Sequence, residues 1–361
     1  MLHIEMSRPH DGNSPFFPFG NPFRMIFPKG SYLSPRFLAL LNSFEETLAE
    51  RLKKLKPKDH GDILSLSWMS LAMQLLSETH TDIKTLVTDL QFPVSDWDDK
   101  WMDVYLDNSI KLLDICIAFS SELSRLNQGQ LLLQCVLHVL DVSSTFPSKE
   151  QLMRAHSSIS DWMQRIHLRS PKLENCAVIL HELAESLHLP KIKNSAKGKV
   201  LMRAMYGVRI ETIFVCSVFT AAFSGSAKPL VDLHVSDKFL WAEVFNELQG
   251  DVNGGISNLF SKEGITILKD LEAVETSVKH LYQMTSADGL TETDKLRNSV
   301  LDLAKCADGL SQGLDLLSKE VECYFQNVLT GRDAFLCNLR VGGTESEPQR
   351  QENSVEEQVV R

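Results

Sequence analysis

Residues 95–141 read SDWDDKWMDVYLDNSIKLLDICIAFSSELSRLNQGQLLLQCVLHVLD, and the spacing of the apolar side chains among them decides the fold. Met102, Tyr105, Ser109, Leu112, Cys116, Phe119, Leu123 and Leu126 recur alternately three and four residues apart, the pattern of a seam down one side of a packing helix. Leu133, Leu137 and Leu140 continue it, so the spacing predicts a helix of roughly 65–70 Å at about 1.5 Å per residue, longer than a compact domain needs. The rest of the chain has to lie along it.

On the N-terminal side, Ser34-Pro35 is an N-cap followed by proline at the first helical position. Phe37, Leu41, Phe44, Leu48, Leu52 and Leu55 then mark one helical face, and Pro57 stops it. A second helix is expected from about Asp62 to the break at Phe92-Pro93, with Leu64, Trp68, Leu71, Leu75, Ile83, Leu86 and Leu90 inward. Ser95 or Asp96 is the expected cap of the long helix, with Asp98 and Asp99 at its positive end. On the C-terminal side, Ser148 with Gln151 opens a fourth helix and Ser170-Pro171 a fifth. Further helices are expected near 237–249 and 262–285, separated by a Gly-rich joint at 250–255. A final helix from about Thr291 carries Leu296, Val300, Leu303, Ala307, Leu310, Leu314, Leu317, Val321, Tyr324 and Val328 at alternating four and three, a heptad seam.

Short connectors between long amphipathic helices favour antiparallel neighbours. The expected architecture is all-α: an elongated bundle of long antiparallel amphipathic helices over 34–341, with a candidate sub-boundary near 190–196. It is preceded by an extended Pro/Phe-rich arm over 1–33 and followed by a disordered polar tail over 342–361. The arm places Phe16, Phe17, Phe19, Phe23 and Phe27 among four prolines, which forbids a helix and leaves large aromatic area to bury. Either it folds back on its own bundle or these five rings dock on a partner or a membrane.

With 43% hydrophobic and 23% charged residues the chain has material for a real core. A net charge of −10 argues against a nucleic-acid binder, which needs a basic surface to neutralise phosphates. Seven cysteines scattered singly, with no C-x-x-C pair, suit reduced thiols of an intracellular protein, cytoplasmic and in one reading membrane-associated. The first 36 residues contain Arg8, Arg24, Lys29 and Arg36 and no long apolar run, which excludes a secretory signal and keeps a plastid transit peptide as the alternative.

The chain shows no catalytic, cofactor-binding or metal-binding motif. His181-Glu182-Leu183-Ala184-Glu185 has a glutamate where a zinc box needs its second histidine. Lys197-Gly198-Lys199 lacks the Gly-rich loop of a phosphate cradle, and Ser224-Gly225-Ser226 is no nucleophile elbow. The segment with functional potential is Thr212–Phe223, TIFVCSVFTAAF, preceded by Lys191, Lys193, Lys197, Lys199 and Arg203. Its uncharged window 212–227 would be about 24 Å long as a helix against a hydrocarbon core of about 30 Å, and upstream lie Arg209 and Glu211, both costly at membrane depth. One reading is a buried central helix of the bundle. The other is shallow insertion, with those basic residues on anionic lipid and Ile213, Phe214, Val215, Val218 and Phe219 in it.

Several long strings, PFFPFGNPFRMIFPKGSYLSP, DILSLSWMSLAMQLLSETHTDIKTLVTDLQFPVSDWDDKWMDVYLD, LLDICIAFSSELSRLNQGQLLLQCVLHVL, FPSKEQL and AAFSGSAKPL, resemble the plant BYPASS family over nearly the whole chain. The resemblance implies a non-enzymatic developmental regulator of root and shoot, from a family that restrains a mobile, root-derived, growth-arresting signal. It implies no catalytic residue, and it implies protein partners, with exocyst-type tethering components among the candidates through the family's wider relatives. The expected role is therefore a helical interaction or adaptor protein, acting in one reading at a membrane. The alternative is an enzyme or carrier for an apolar carotenoid-derived metabolite held inside the bundle.

Overall fold

The computed structural model describes residues 33–58, 62–93, 96–141, 146–168, 170–188, 195–260, 268–286 and 293–343, the last six of these by backbone only. Among them are nine helices and no strand: α1 Pro35–Lys54, α2 Leu66–Asp89, α3 Asp99–Val139, α4 Lys149–Ile166, α5 Pro171–Glu185, α6 Ala196–Ser224, α7 Ala242–Phe260, α8 Lys269–Thr285 and α9 Thr293–Gly343. The arm with its five phenylalanines, Lys191, Lys193 and the tail beyond Gly343 lie outside the described residues.

Local chemistry sets most helix starts. The Ser34 hydroxyl accepts from Phe37 N at 3.3 Å, and Ser65 does the same for Trp68 N at 3.2 Å. Ser148 and Gln151 form a complete capping box. The long helix starts later than expected, because Asp98 and not Ser95 or Asp96 supplies the cap, accepting from Lys100 N. Gly225 ends α6 in the left-handed region at φ 67°, which a residue without Cβ adopts at no steric cost.

α3 has 41 residues and α9 has 51, about 62 and 77 Å at about 1.5 Å per residue, and they form the axis of the bundle. They run antiparallel: Tyr105 meets Phe335, Arg332 donates to Leu106 O, and Gln130 donates to Ala307 O. α4 packs antiparallel on α3, with Arg125 donating to Arg165 O. α8 packs antiparallel on α9, with Ser299 beside His280 and Ser277 beside Cys306.

Two pairs distant in sequence are parallel, which short-connector reasoning does not anticipate. α2 runs with α9, since Leu66 lies against Gly313 and Ser77 against Asn327. α1 runs with α6, since Glu45 pairs with Arg203 and Leu48 lies against Gly207.

The core is one continuous apolar cluster from Leu41 to Phe335. α6 is its centre: an 18-residue window of it is 83% buried. The expected joint at 250–255 is instead the middle of α7. Phe245, Leu248, Val252 and Ile256 bury one face, while a Cβ at Gly250 or Gly254 would meet nothing within 4 Å. Burial of those four side chains outweighs the roughly 1 kcal/mol that each helical glycine costs relative to alanine.

Candidate functional site

The seam between α1 and α6 is where charge enters the core. Gly207 sits at the closest approach, where a Cβ would lie 2.8 Å from Leu48 Cδ2 and 3.5 Å from the Trp241 ring. About one turn before it, Glu45 of α1 is 1% exposed and fully engaged. Its Oε1 accepts from Arg203 Nε, and its Oε2 accepts from Arg203 Nη2 at 3.2 Å and Leu240 N at 2.9 Å. Arg203 also donates to Lys238 O at 2.7 Å, with its guanidinium 4.8 Å from the Phe239 ring centre.

About one turn beyond Gly207, Glu211 of α6 is also 1% exposed, yet neither carboxyl oxygen has a hydrogen-bond partner. The nearby cation is committed elsewhere. Arg51 of α1 donates to Asp82 Oδ2 at 2.5 Å and Thr79 Oγ1 at 3.2 Å, and sits 3.4 Å from Glu78 Oε2. The Thr79 hydroxyl proton is spent on Leu75 O at 3.0 Å. Burial therefore pushes the Glu211 carboxyl up to about 8, against the opposing pull of Thr79 and Arg51, and Asp82 and Glu78 add to the rise.

One residue further along each helix, His80 of α2 brings Nε2 within 3.0 Å of Thr212 Oγ1 and 3.1 Å of the Tyr324 hydroxyl. Burial lowers the His80 pKa to about 4, with Lys84 adding to the effect, so the ring is neutral at neutral pH. Burial likewise holds the Tyr324 hydroxyl protonated. Three thiols follow along α3, α5 and α6. Burial raises Cys116 to about 12, Cys176 to about 11 and Cys216 well above its ordinary value, which leaves them unreactive thiols.

Three spaces adjoin these elements. An open groove of about 620 Å³ between α2 and α9 is lined by Arg51, Glu78, Asp82, Glu320, Glu322 and Asn327, among others. A second groove, about 510 Å³, lies between α8 and α9 beside Asp270, Asp302 and Lys305. Inside the bundle, the space bounded by His80, Leu112, Leu183, Arg209, Thr212 and Ile213 holds about 40 Å³. A drug-sized ligand needs roughly 300 Å³ or more. Among the described residues no group of three His, Cys, Asp or Glu side chains is placed to hold a metal ion.

The residues expected to touch a membrane are placed mainly inward. Ile213, Phe214, Val215, Val218 and Phe219 are at most 1% exposed, so in this fold they face protein, and lipid would reach them only if the bundle opened. By length and composition α6 resembles a membrane-crossing helix, and its burial is that of a core helix. Arg203 is taken out of the basic run by Glu45, and Lys197 donates to Gln91 O at 2.6 Å while Lys199 is half-buried. The described members of the basic run, Lys197, Lys199 and Arg203, thus lie in the first two turns of α6. Missed in the sequence were Glu45, Arg51, Thr79, His80, Asp82 and Tyr324. The signal for part of them was present: SETHTD at 77–82 interrupts an otherwise apolar helix, and Glu211 interrupts another.

Fold and seam together define, among the described residues, an all-helical bundle with one continuous apolar core and open polar grooves. A family model described as "Protein ROH1-like" matches residues 34–172, which are α1 to α4 and the first residues of α5. The chain is 52% identical over 341 residues to "Protein BPS1, chloroplastic" of Arabidopsis thaliana, covering 94% of each chain. It is 40% identical over 449 aligned positions to "UPF0496 protein 4" of Oryza sativa subsp. indica, covering 94% of this chain and 98% of the relative. The chain belongs to the plant BYPASS family. No solved structure matches it.

Proposed function

We propose that this protein is a non-enzymatic regulator of plant root and shoot development, restraining a root-derived mobile signal that arrests growth. The observation that carries the reading is the 52% identity to the Arabidopsis relative over 94% of both chains. The test is a graft. Rootstocks lacking this protein should arrest wild-type shoots, and wild-type rootstocks should restore mutant shoots; arrest that follows the shoot genotype would sink the reading.

Its mode of action is that of a helical interaction protein whose grooves along α9 present polar surface to protein partners, exocyst-type tethering components among them. Proximity labelling in root tissue checks this, and a labelled set without trafficking or tethering proteins removes that partner class. Membrane contact is electrostatic in this reading, through the basic residues leading into α6. Release of membrane-bound protein by high salt supports it, whereas retention through a carbonate wash shows insertion. The plastid alternative draws on the word "chloroplastic" in the relative's name; residues 1–36 fused to a fluorescent reporter would carry it into plastids. The reading as carrier or enzyme for an apolar metabolite lacks support, because about 40 Å³ beside His80 is far below what such a molecule fills.

A further inference from the structure

We propose that Glu211 is a proton-dependent lock on the junction of α1, α2 and α6: neutral, it lets the seam close, and ionised, it loosens α6 from α1 and α2.

Three carboxyls, Glu78, Asp82 and Glu211, share one guanidinium, Arg51, which already bonds Asp82 and Thr79 and lies beside Glu78. Glu211 is the innermost of the three, 1% exposed, with both oxygens unpartnered. A neutral carboxyl in that position has one proton to place, and the unused lone pair of Thr79 Oγ1 is the acceptor beside it. An ionised carboxyl there could draw only on the Thr79 hydroxyl, which is turned to Leu75 O, and on a guanidinium shared with two other carboxyls, so it needs water. The groove between α2 and α9 is lined by Arg51, Glu78 and Asp82, so solvent already reaches the groups around Glu211 from that side.

The groups facing Glu211 come from three other helices. They are Arg51 of α1; Glu78, Asp82 and the neutral His80 of α2; and Tyr324 of α9. α6 itself adds Cys216, and Cys116 of α3 and Cys176 of α5 lie further along, while Arg209, two residues before Glu211, turns to Ser186. Across the range around pH 8 the buried thiols and Tyr324 keep their protons and His80 stays neutral, so Glu211 is the group in this set that changes charge. The lock needs neither the developmental role nor any partner to be correct, and it fails or stands separately from them.

The test uses the full-length protein and two measurements from about pH 6.5 to about pH 9, the range that brackets the Glu211 transition. Infrared difference spectra should show the carbonyl band of a buried carboxylic acid at the acid end, lost through about pH 8 and missing from Glu211→Gln. Amide hydrogen exchange of the α6 segment 205–218 should rise faster than hydroxide concentration alone dictates, by roughly tenfold in excess over this range, while Glu211→Gln follows hydroxide. A band that never appears shows an ionised Glu211 in the closed fold and overturns the proposal. A band lost without excess exchange also overturns it, because titration then moves nothing. If Glu211→Gln does not fold, Glu211→Met replaces it as the reference, and the wild-type band and exchange slope still decide.

Discussion

Glu45 and Glu211 occupy opposite ends of one helix crossing and are equally buried, yet their chemistry differs. Glu45 receives three N–H groups, two of them from Arg203, so both of its oxygens are satisfied inside the protein. Glu211 faces Arg51 across the same seam, but Asp82 and Glu78 on α2 hold that guanidinium, and burial keeps the carboxyl neutral. Equal burial therefore leaves the two acids with very different surroundings. The donors that their neighbours leave over make the difference.

The largest expected effect comes from breaking the satisfied end. Glu45→Ala takes the carboxylate from a guanidinium that is 13% exposed and leaves it Lys238 O and the Phe239 ring, which should cost about 3–5 kcal/mol, read as a lower midpoint in urea unfolding. Next is the unsatisfied end, where Glu211→Met should stabilise the fold by roughly 1–4 kcal/mol near pH 8. The sign follows from linkage. The folded chain keeps the Glu211 proton up to about pH 8 while the unfolded chain loses it near 4.5, so this stability is full below 4.5 and lost as pH rises through 8. His80, lowered to about 4 from 6.5, contributes the opposite slope below 6.5. Wild-type stability should therefore fall mainly between about pH 6.5 and 8, and that slope should vanish in Glu211→Met when thermal midpoints are compared.

Between the two acids, Gly207→Val should cost about 1–3 kcal/mol by driving a side chain into Leu48, and Leu48→Ala in the same chain should recover part of it. The smallest effect expected is from Tyr324→Phe. It removes one hydrogen bond to His80, which keeps its contact with Thr212, and should cost about 1 kcal/mol in the same unfolding measurement.

The helices were legible where burial is periodic. All ten seam positions of α9 from Leu296 to Val328 are buried, and so is the α3 seam from Ser109 to Leu126. Spacing reports which face is inward and nothing about which helix covers it. The parallel pairing of α1 with α6 was therefore invisible, as was the continuity of α7 through its glycines, where propensity lost to packing. The site was less legible still. Arg203 reads as one of five basic residues in a run, and nothing near it in sequence points to Glu45, 158 positions away. The cost of charge in an apolar setting did single out Glu211, although lipid was the apolar setting considered. The same cost applies to a protein core.

The parallel crossing of α1 and α6 also bears on how the chain is made. α1 is among the first helices to leave the ribosome, and it packs on α6 and α7, while α2 waits for α9, to which Asn327 ties Ser77 across 250 residues. Such non-local pairing makes folding slow, because long loops must close before contacts repay them. The segment matched by the family model, 34–172, ends before α6 and α9 begin. Synthesised alone, it would leave the buried faces of α1 and α2 covered only by each other, as in the nascent protein while its second half is still being translated.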